Sequence, residues 1–171
     1  MEIKKTVMGL SIIELEEFHD ERGHFSETFQ HQQYETAGVF PVGTKLVQDN
    51  LSFSRKGVLR GMHSQSSPFQ QGKLIQVLSG SIYDVVVDAR KESVSYGKWE
   101  GRELHVGSQL YVDEGLHHGF QCLSDEATII YKCTNYYNKP SESPIHYSSF
   151  GIKWPIKNVI VSEKDNKAPR I

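Results

Sequence analysis

The feature that most constrains this chain is a period of two. Five stretches are rich in Val, Ile, Tyr and Phe and carry Gly, Asp and Ser between them: KLVQDNLSFS (45–54), KLIQVLSGSIYDVVVDAR (73–90), SQLYVDEG (108–115), HGFQCLS (118–124) and ATIIYKCTNYY (127–137). Alternation sends successive side chains to opposite faces, and short strands at close spacing with turn signals between them build a sandwich or barrel. Ser79-Gly80-Ser81 reads as a tight turn between two strands. Only FSETFQHQQYETAGV (25–39) reads as helical, with polar and long-chain residues in its middle and Gly38 and then Pro41 at its end. NKPSESP (138–144) reads as loop, followed by short segments around Lys153-Trp154-Pro155 and a polar tail. The expectation is a single all-β domain over residues 1–171, with an N-terminal arm over about 1–45, a barrel over about 46–140 and a C-terminal segment over about 141–171.

Length and charge narrow the function classes. A chain of 171 residues can bury a real core, and 37% hydrophobic with 23% charged residues is the balance of a soluble globular domain. A net charge of −2 gives no reason to expect nucleic acid, although local basic residues can still hold a phosphate. No apolar run approaches the roughly 18 residues of a membrane span. The N-terminal MEIKKTVMGLSII lacks the apolar core of a signal peptide, so a cytoplasmic location is expected. Cys122 and Cys133 are the only cysteines and read as ordinary buried thiols rather than a disulfide.

The chemistry concentrates in GVLRGMHSQSSPFQQGKL (57–74). His63 and Gln65 are two apart, so on a strand they share a face. The spacing resembles the cupins, double-stranded β-helix (jelly-roll) barrels with two motifs around a site in the barrel mouth. Their first motif sets Gly five residues before His-x-His, then a Glu six residues before a second Gly. Here Gly57 is followed by five residues and His63, and Lys73 is followed by six residues and Gly80. Their second motif, Gly, five residues, Pro-x-Gly, two residues, His, is matched by Gly107, Asp113-Glu114-Gly115 and His118. The frame is kept and the ligands are not: Gln65 replaces the second histidine and Lys73 the glutamate. An ammonium offers three donors and no lone pair, and it repels a cation. His63 and His118 alone are too few ligands for a catalytic metal site, so none is expected, nor any other cofactor. A histidine and a lysine aimed into one cavity instead suit proton abstraction beside a carbonyl. Imidazoles titrate near neutral pH, and a cation steadies the enolate oxygen.

A narrower resemblance rests on DERGHFSETF (20–29), VQDNLSFSRKGVLRGMHSQ (47–65), QGKL (71–74), DVVVDAR (84–90), YGKW (96–99), HGF (118–120), YKCTNYY (131–137), IKWP (152–155) and SEKD (162–165). In this order and spacing, the set is similar to the dTDP-4-dehydrorhamnose 3,5-epimerase family, metal-free cupins acting on nucleotide-linked 4-keto sugars. The resemblance implies two successive proton abstractions flanking the C4 ketone, at C5 and C3, with return of each proton from the opposite face. It implies His63 as general base, Asp165 as the carboxylate orienting it, Lys73 as stabiliser of the enolate and Tyr131 as the acid on the far face. By position alone, Asp165 reads as a solvated tail charge and Tyr131 as an inward aromatic of a β core. Arg22 and Arg60 match arginines on the diphosphate, where a planar fork grips oxygens. Glu27, Gln48 and Asn50 match nucleotide-binding positions, Tyr136 the tyrosine near the base, and His118 a histidine close to the sugar. The family also implies a homodimer whose N-terminal arms cross, so that Arg22 and Glu27 serve the neighbour's site.

Departures from the family pattern concern the substrate. Ser64 stands where an aromatic is usual, His117 where a small residue is common, and Asp113-Glu114 replaces a proline-containing turn. IHYSSFGIKWP is shorter than the family's usual run. Serine beside the base removes bulk and adds polarity, which points toward a larger or more hydroxylated sugar. The resemblance itself leaves alternatives, since relatives act on GDP- or CDP-linked sugars, a GDP-linked 4-keto heptose among them, and some invert C3 alone. Three rivals are a metal-dependent cupin dioxygenase, opposed by Lys73; a non-catalytic sugar-binding barrel; and a sugar 3,4-ketoisomerase, which presents two histidines on one strand where this chain has His63 and Gln65.

Overall fold

The computed structural model describes residues 1–171. Its strands run β1 (Glu2–Lys5), β2 (Ser11–Glu14), β3 (Phe18–Asp20), β4 (Gly23–Phe25), β5 (Gln48–Arg55), β6 (Leu59–His63), β7 (Lys73–Ser79), β8 (Ser81–Val87), β9 (Trp99–His105), β10 (Ser108–Val112), β11 (His117–Cys122) and β12 (Glu126–Cys133). The two α-helices are short: α1 (His31–Thr36) and α2 (Glu163–Asn166). A six-stranded sheet in the order β1-β2-β10-β7-β12-β5 faces a four-stranded sheet in the order β6-β11-β8-β9, and β3 with β4 makes a separate hairpin. Every pairing within these sheets is antiparallel. This is the jelly-roll arrangement expected of a cupin.

Alternation explains the core. Ile75, Val77, Leu110, Val112, Ala127 and Ile129 from the larger sheet meet Ile82, Val86, Leu104, Phe120 and Cys122 from the smaller in one cluster. A second cluster lies where α1 covers the larger sheet, with Tyr34 and Phe40 on Ile13, Leu74 and Tyr111. A third forms where the C-terminal segment crosses the smaller sheet and sets Ile145 and Ile152 on Met62, Val85 and Val87. Burying an aliphatic side chain contributes about 1.5–3 kcal/mol, so both faces of each sheet are tied down. Cys122 and Cys133 are buried and free, as expected.

One difference from the sequence reading has a physical cause. Helix is confined to His31–Thr36 within the expected 25–39, because Phe25 pairs with Phe18 in the hairpin and the Gln30 side chain caps the first turn by accepting from Gln33 N–H. The segment also ends as expected, with Gly38 at φ 68 just beyond it. Part of the N-terminal segment belongs to the larger sheet: β2 pairs with β10, and Leu10 and Ile13 are 2% and 0% exposed. Within residues 1–45 only the β3–β4 hairpin stands as a sheet of its own.

The turn at Ser79-Gly80-Ser81 joins β7 to β8, and Gly80 has φ 75 with Glu126 O where a Cβ would stand. Its tightness fixes Lys73 at one end of β7, beside the cavity between the sheets.

Candidate active site

His63 ends β6 on the smaller sheet, while Lys73 begins β7 and Tyr131 lies near the end of β12 on the larger. All three line a cavity of about 480 Å³ together with Arg60, His118 and Asp165. They also line an adjoining cavity of about 280 Å³ with Gln48, Asn50, Ser64, Gln65, Tyr137 and Glu142. The base candidate therefore faces the phenol and the ammonium from the opposite sheet, at the junction of two chambers.

The positioning of His63 begins with two glycines. Gly61 on β6 lies against Gly119 on β11, where a Cβ on Gly61 would stand 2.6 Å from Gly119 Cα. The ladder between β6 and β11 shifts register at this place. The close approach leaves Gly61 N–H free to donate to Asp165 Oδ2 at 3.3 Å. Asp165 sits in α2, a single turn whose N-cap Ser162 accepts from Asp165 N–H at 3.1 Å. A parallel bridge between Val58 and Ile160 brings this tail beside β6. The result is a contact of 2.7 Å between Asp165 Oδ1 and His63 Nε2, with the aspartate side chain only 5% exposed. An ionised carboxylate only accepts, so Nε2 carries the proton and Nδ1 keeps the lone pair.

Burial pushes the Asp165 carboxyl upward, but the hydrogen bond and charge of His63, the Gly61 N–H and Ser162 outweigh it and hold the group below its ordinary value. Burial lowers Lys73, against the opposing pull of Cys133 and Asp84. Burial raises Tyr131, with Cys133 adding to the rise and Arg60 opposing it, so the phenol keeps its proton at neutral pH. Lys73 Nζ donates to His63 O at 3.5 Å. His118 forms a second imidazole–carboxylate pair, its Nε2 2.8 Å from Asp84 Oδ2, while Asp84 Oδ1 is buried with no hydrogen-bond partner.

The binding candidates divide. Arg60 lines the larger cavity, held by bonds to Ser54 Oγ (3.0 Å) and Phe53 O (2.9 Å). Gln48 and Asn50 line the smaller one and bond to each other at 3.0 Å. Arg22 and Glu27 line neither: Arg22 is exposed at the β3–β4 turn, donating to Asp20 Oδ2 at 3.0 Å through Nε, and Glu27 is exposed beyond the hairpin. Tyr136 is 64% exposed and also outside both cavities, and its neighbour Tyr137 takes the wall position. Sequence reasoning missed Tyr137, Asp84 and the Lys164–Glu142 ion pair at the smaller chamber. The signal for Asp84 was an acid inside an otherwise apolar strand, IYDVVV. Gln65 lies next to the base as expected, and its amide is committed to Phe69 O and Asn138 N–H.

Comparison with known proteins decides the lineage. A family model described as dTDP-4-dehydrorhamnose 3,5-epimerase matches residues 4–171. The chain belongs to the dTDP-4-dehydrorhamnose 3,5-epimerase family. It is 46% identical to the Shigella flexneri enzyme of that name over 95% of this chain and 91% of the relative. It is 44% identical to the Methanothermobacter thermautotrophicus enzyme of the same name, over 95% of this chain and 90% of the relative. A crystal structure of dTDP-6-deoxy-D-glucose-3,5-epimerase from Legionella pneumophila, in complex with dTDP-4-keto-L-rhamnose, is 43% identical with a TM-score of 0.93, covering 99% of this chain and 92% of that one. In this member of the epimerase family, His63, Asp165 and Tyr131 line one cavity with contributions from both sheets.

Proposed function

We propose that this chain is a carbohydrate epimerase that inverts C3 and C5 of a dTDP-linked 4-keto sugar. The observation that carries the reading is the placement of an oriented imidazole on one sheet and a half-buried phenol on the other, with an ammonium lining the same cavity. His63 Nδ1 takes the proton from the carbon beside the ketone, and the electron pair moves onto the C4 oxygen as an enolate. Lys73 meets the charge on that oxygen, a contribution of about 2.7–4 kcal/mol for one well-placed donor. Tyr131 returns a proton to the opposite face as the enolate pair closes back to the ketone. His63 then gives up its proton to solvent, Tyr131 regains one from solvent, and the cycle repeats at the second carbon. Atoms balance with no oxidant: one proton leaves and one arrives.

Several further features support this reading. Lys73 occupies the place of the cupin glutamate, so His63 and His118 share their cavity with an ammonium, and the chemistry is proposed to need no metal. Arg60 on the larger chamber suits the diphosphate, and Gln48 with Asn50 on the smaller one supplies donors and acceptors to the nucleotide sugar. The Legionella relative's dTDP-4-keto-L-rhamnose favours a dTDP-linked 6-deoxy sugar over a GDP-linked heptose. Homodimer formation is part of the proposal. The edge strand β5 covers Gln48, Asn50, Ser52 and Ser54 more than Leu51 and Phe53, which are 67% and 48% exposed, with Leu51 at the border of the larger cavity. The hairpin adds Phe18 and Phe25, 57% and 69% exposed. Apolar surface of this extent fits a second copy, with Arg22 and Glu27 reaching the neighbour's site. No helix is long and apolar enough to cross a membrane, and a cytoplasmic setting is part of the proposal.

The test is product stereochemistry. Ring-proton coupling constants in ¹H NMR, after incubation with the C3,C5 epimer of dTDP-4-keto-L-rhamnose, should show inversion at both carbons. Inversion at C3 alone would make this a single-site enzyme, and unchanged substrate would refute the reading.

A further inference from the structure

The β3–β4 hairpin carries a cluster that the epimerase site does not use. His19 and His24 are direct cross-strand partners in its register, and Glu17 precedes His19 by one strand period, so all three project from one face. Their donor atoms all lie within 4.8 Å of one another. His19 Nε2 is 3.1 Å from Glu17 Oε2, and the two imidazoles are tilted with centroids 5.5 Å apart. All three residues are exposed, so their side chains can rotate freely. Zinc bonds of about 2.0–2.2 Å in a tetrahedron bring ligand atoms to roughly 3.3 Å from one another, a closure that exposed side chains make by rotation alone. The turn residues Glu21 and Arg22 and the acid Asp20 are not needed: Asp20 is engaged by Arg22.

We propose that Glu17, His19 and His24 form a zinc site that staples this hairpin. Two imidazoles and a carboxylate are a borderline donor set suited to Zn²⁺, with the fourth position left to water. The staple has a physical use, because β3 and β4 pair only with each other and an isolated two-stranded hairpin is marginal in water. Metal across the pair joins strand to strand where no third strand does. The site is separate from the catalytic cavity, where Lys73 lies with the two histidines.

Calorimetric titration of the full-length, chelator-stripped protein with zinc chloride tests it. One equivalent should bind. His24→Ala and Glu17→Gln should each weaken binding by about tenfold or more, while His63→Asn leaves it unchanged. Because the hairpin is exposed, these variants should retain the wild-type circular dichroism. Zinc should also slow amide hydrogen exchange over residues 18–25 in the wild type and not in His24→Ala. Absence of zinc uptake, uptake that survives both hairpin variants, or uptake abolished by His63→Asn instead would overturn the proposal.

Discussion

Asp165 and Lys73 are perturbed in the same direction with opposite consequences. The Asp165 value is depressed in the folded chain, so its stabilisation is fully present above the ordinary carboxylate value and is lost as pH falls through the depressed one. Asp165→Asn should therefore destabilise at neutral pH and much less near pH 2, as urea titrations at both would show. The same change removes the acceptor that fixes the His63 tautomer, and kcat should fall by roughly 10²–10⁴. Lys73 is depressed too, but for an amine this means that burial penalises the charged form. The unfolded chain binds the extra proton, so the penalty is present at neutral pH and is relieved as pH rises through the folded value. Lys73→Met should raise the melting temperature at pH 7 by a few degrees, at about 2–4 °C per kcal/mol for a chain of this size, while turnover is lost. In the wild type, the alkaline limb of kcat should lie below the ordinary lysine range. Tyr131→Phe should retain wash-in of solvent hydrogen by His63 and lose net inversion. Of these residues, His63 and Lys73 were legible from spacing, because strand register pins what spacing counts. Asp165 was legible only through the family resemblance, since nothing local links a four-residue helix to a strand 102 residues earlier.

At the scale of elements, the proposed catalysis depends on how the C-terminal tail is held against β6. Ser162 caps α2 through the backbone of Asp165 itself, so Ser162→Ala should cost about 0.5–2 kcal/mol by thermal denaturation and lower kcat with little change in KM. Gly119 makes a comparable contribution from the other side. A methyl there would stand 2.7 Å from Met62 Sδ and 2.8 Å from Arg60 O, a backbone atom that cannot step aside. The strands were readable as elements because alternation survives burial. The short α1 was overextended because Phe25 belongs to a hairpin whose pairing no local propensity announces. The choice of Tyr137 over Tyr136 turns on the loop after β12, where one residue reverses the direction of a side chain and no period applies.

In the proposed reaction, the two sheets present different chemistry to opposite faces of the sugar. The jelly roll supplies this separation, and inversion requires it: a base and an acid on one sheet could only exchange a proton with the same face. The exposed stripe of Leu51 and Phe53 sets the proposed second copy against the β5 edge, and the exposed hairpin phenylalanines offer it further apolar surface. Light scattering behind size exclusion should give twice the chain mass of 19.5 kDa, and Leu51→Glu with Phe53→Glu should return it to the monomer. The most direct measurement of the central claim is incubation with a dTDP-linked 4-keto-6-deoxy sugar in D₂O, with deuterium located by ¹H NMR. The two-sheet acid–base account predicts deuterium at both C3 and C5 with the wild type and at neither with His63→Asn. A wild-type protein that binds the nucleotide sugar and leaves both carbons unlabelled would contradict it.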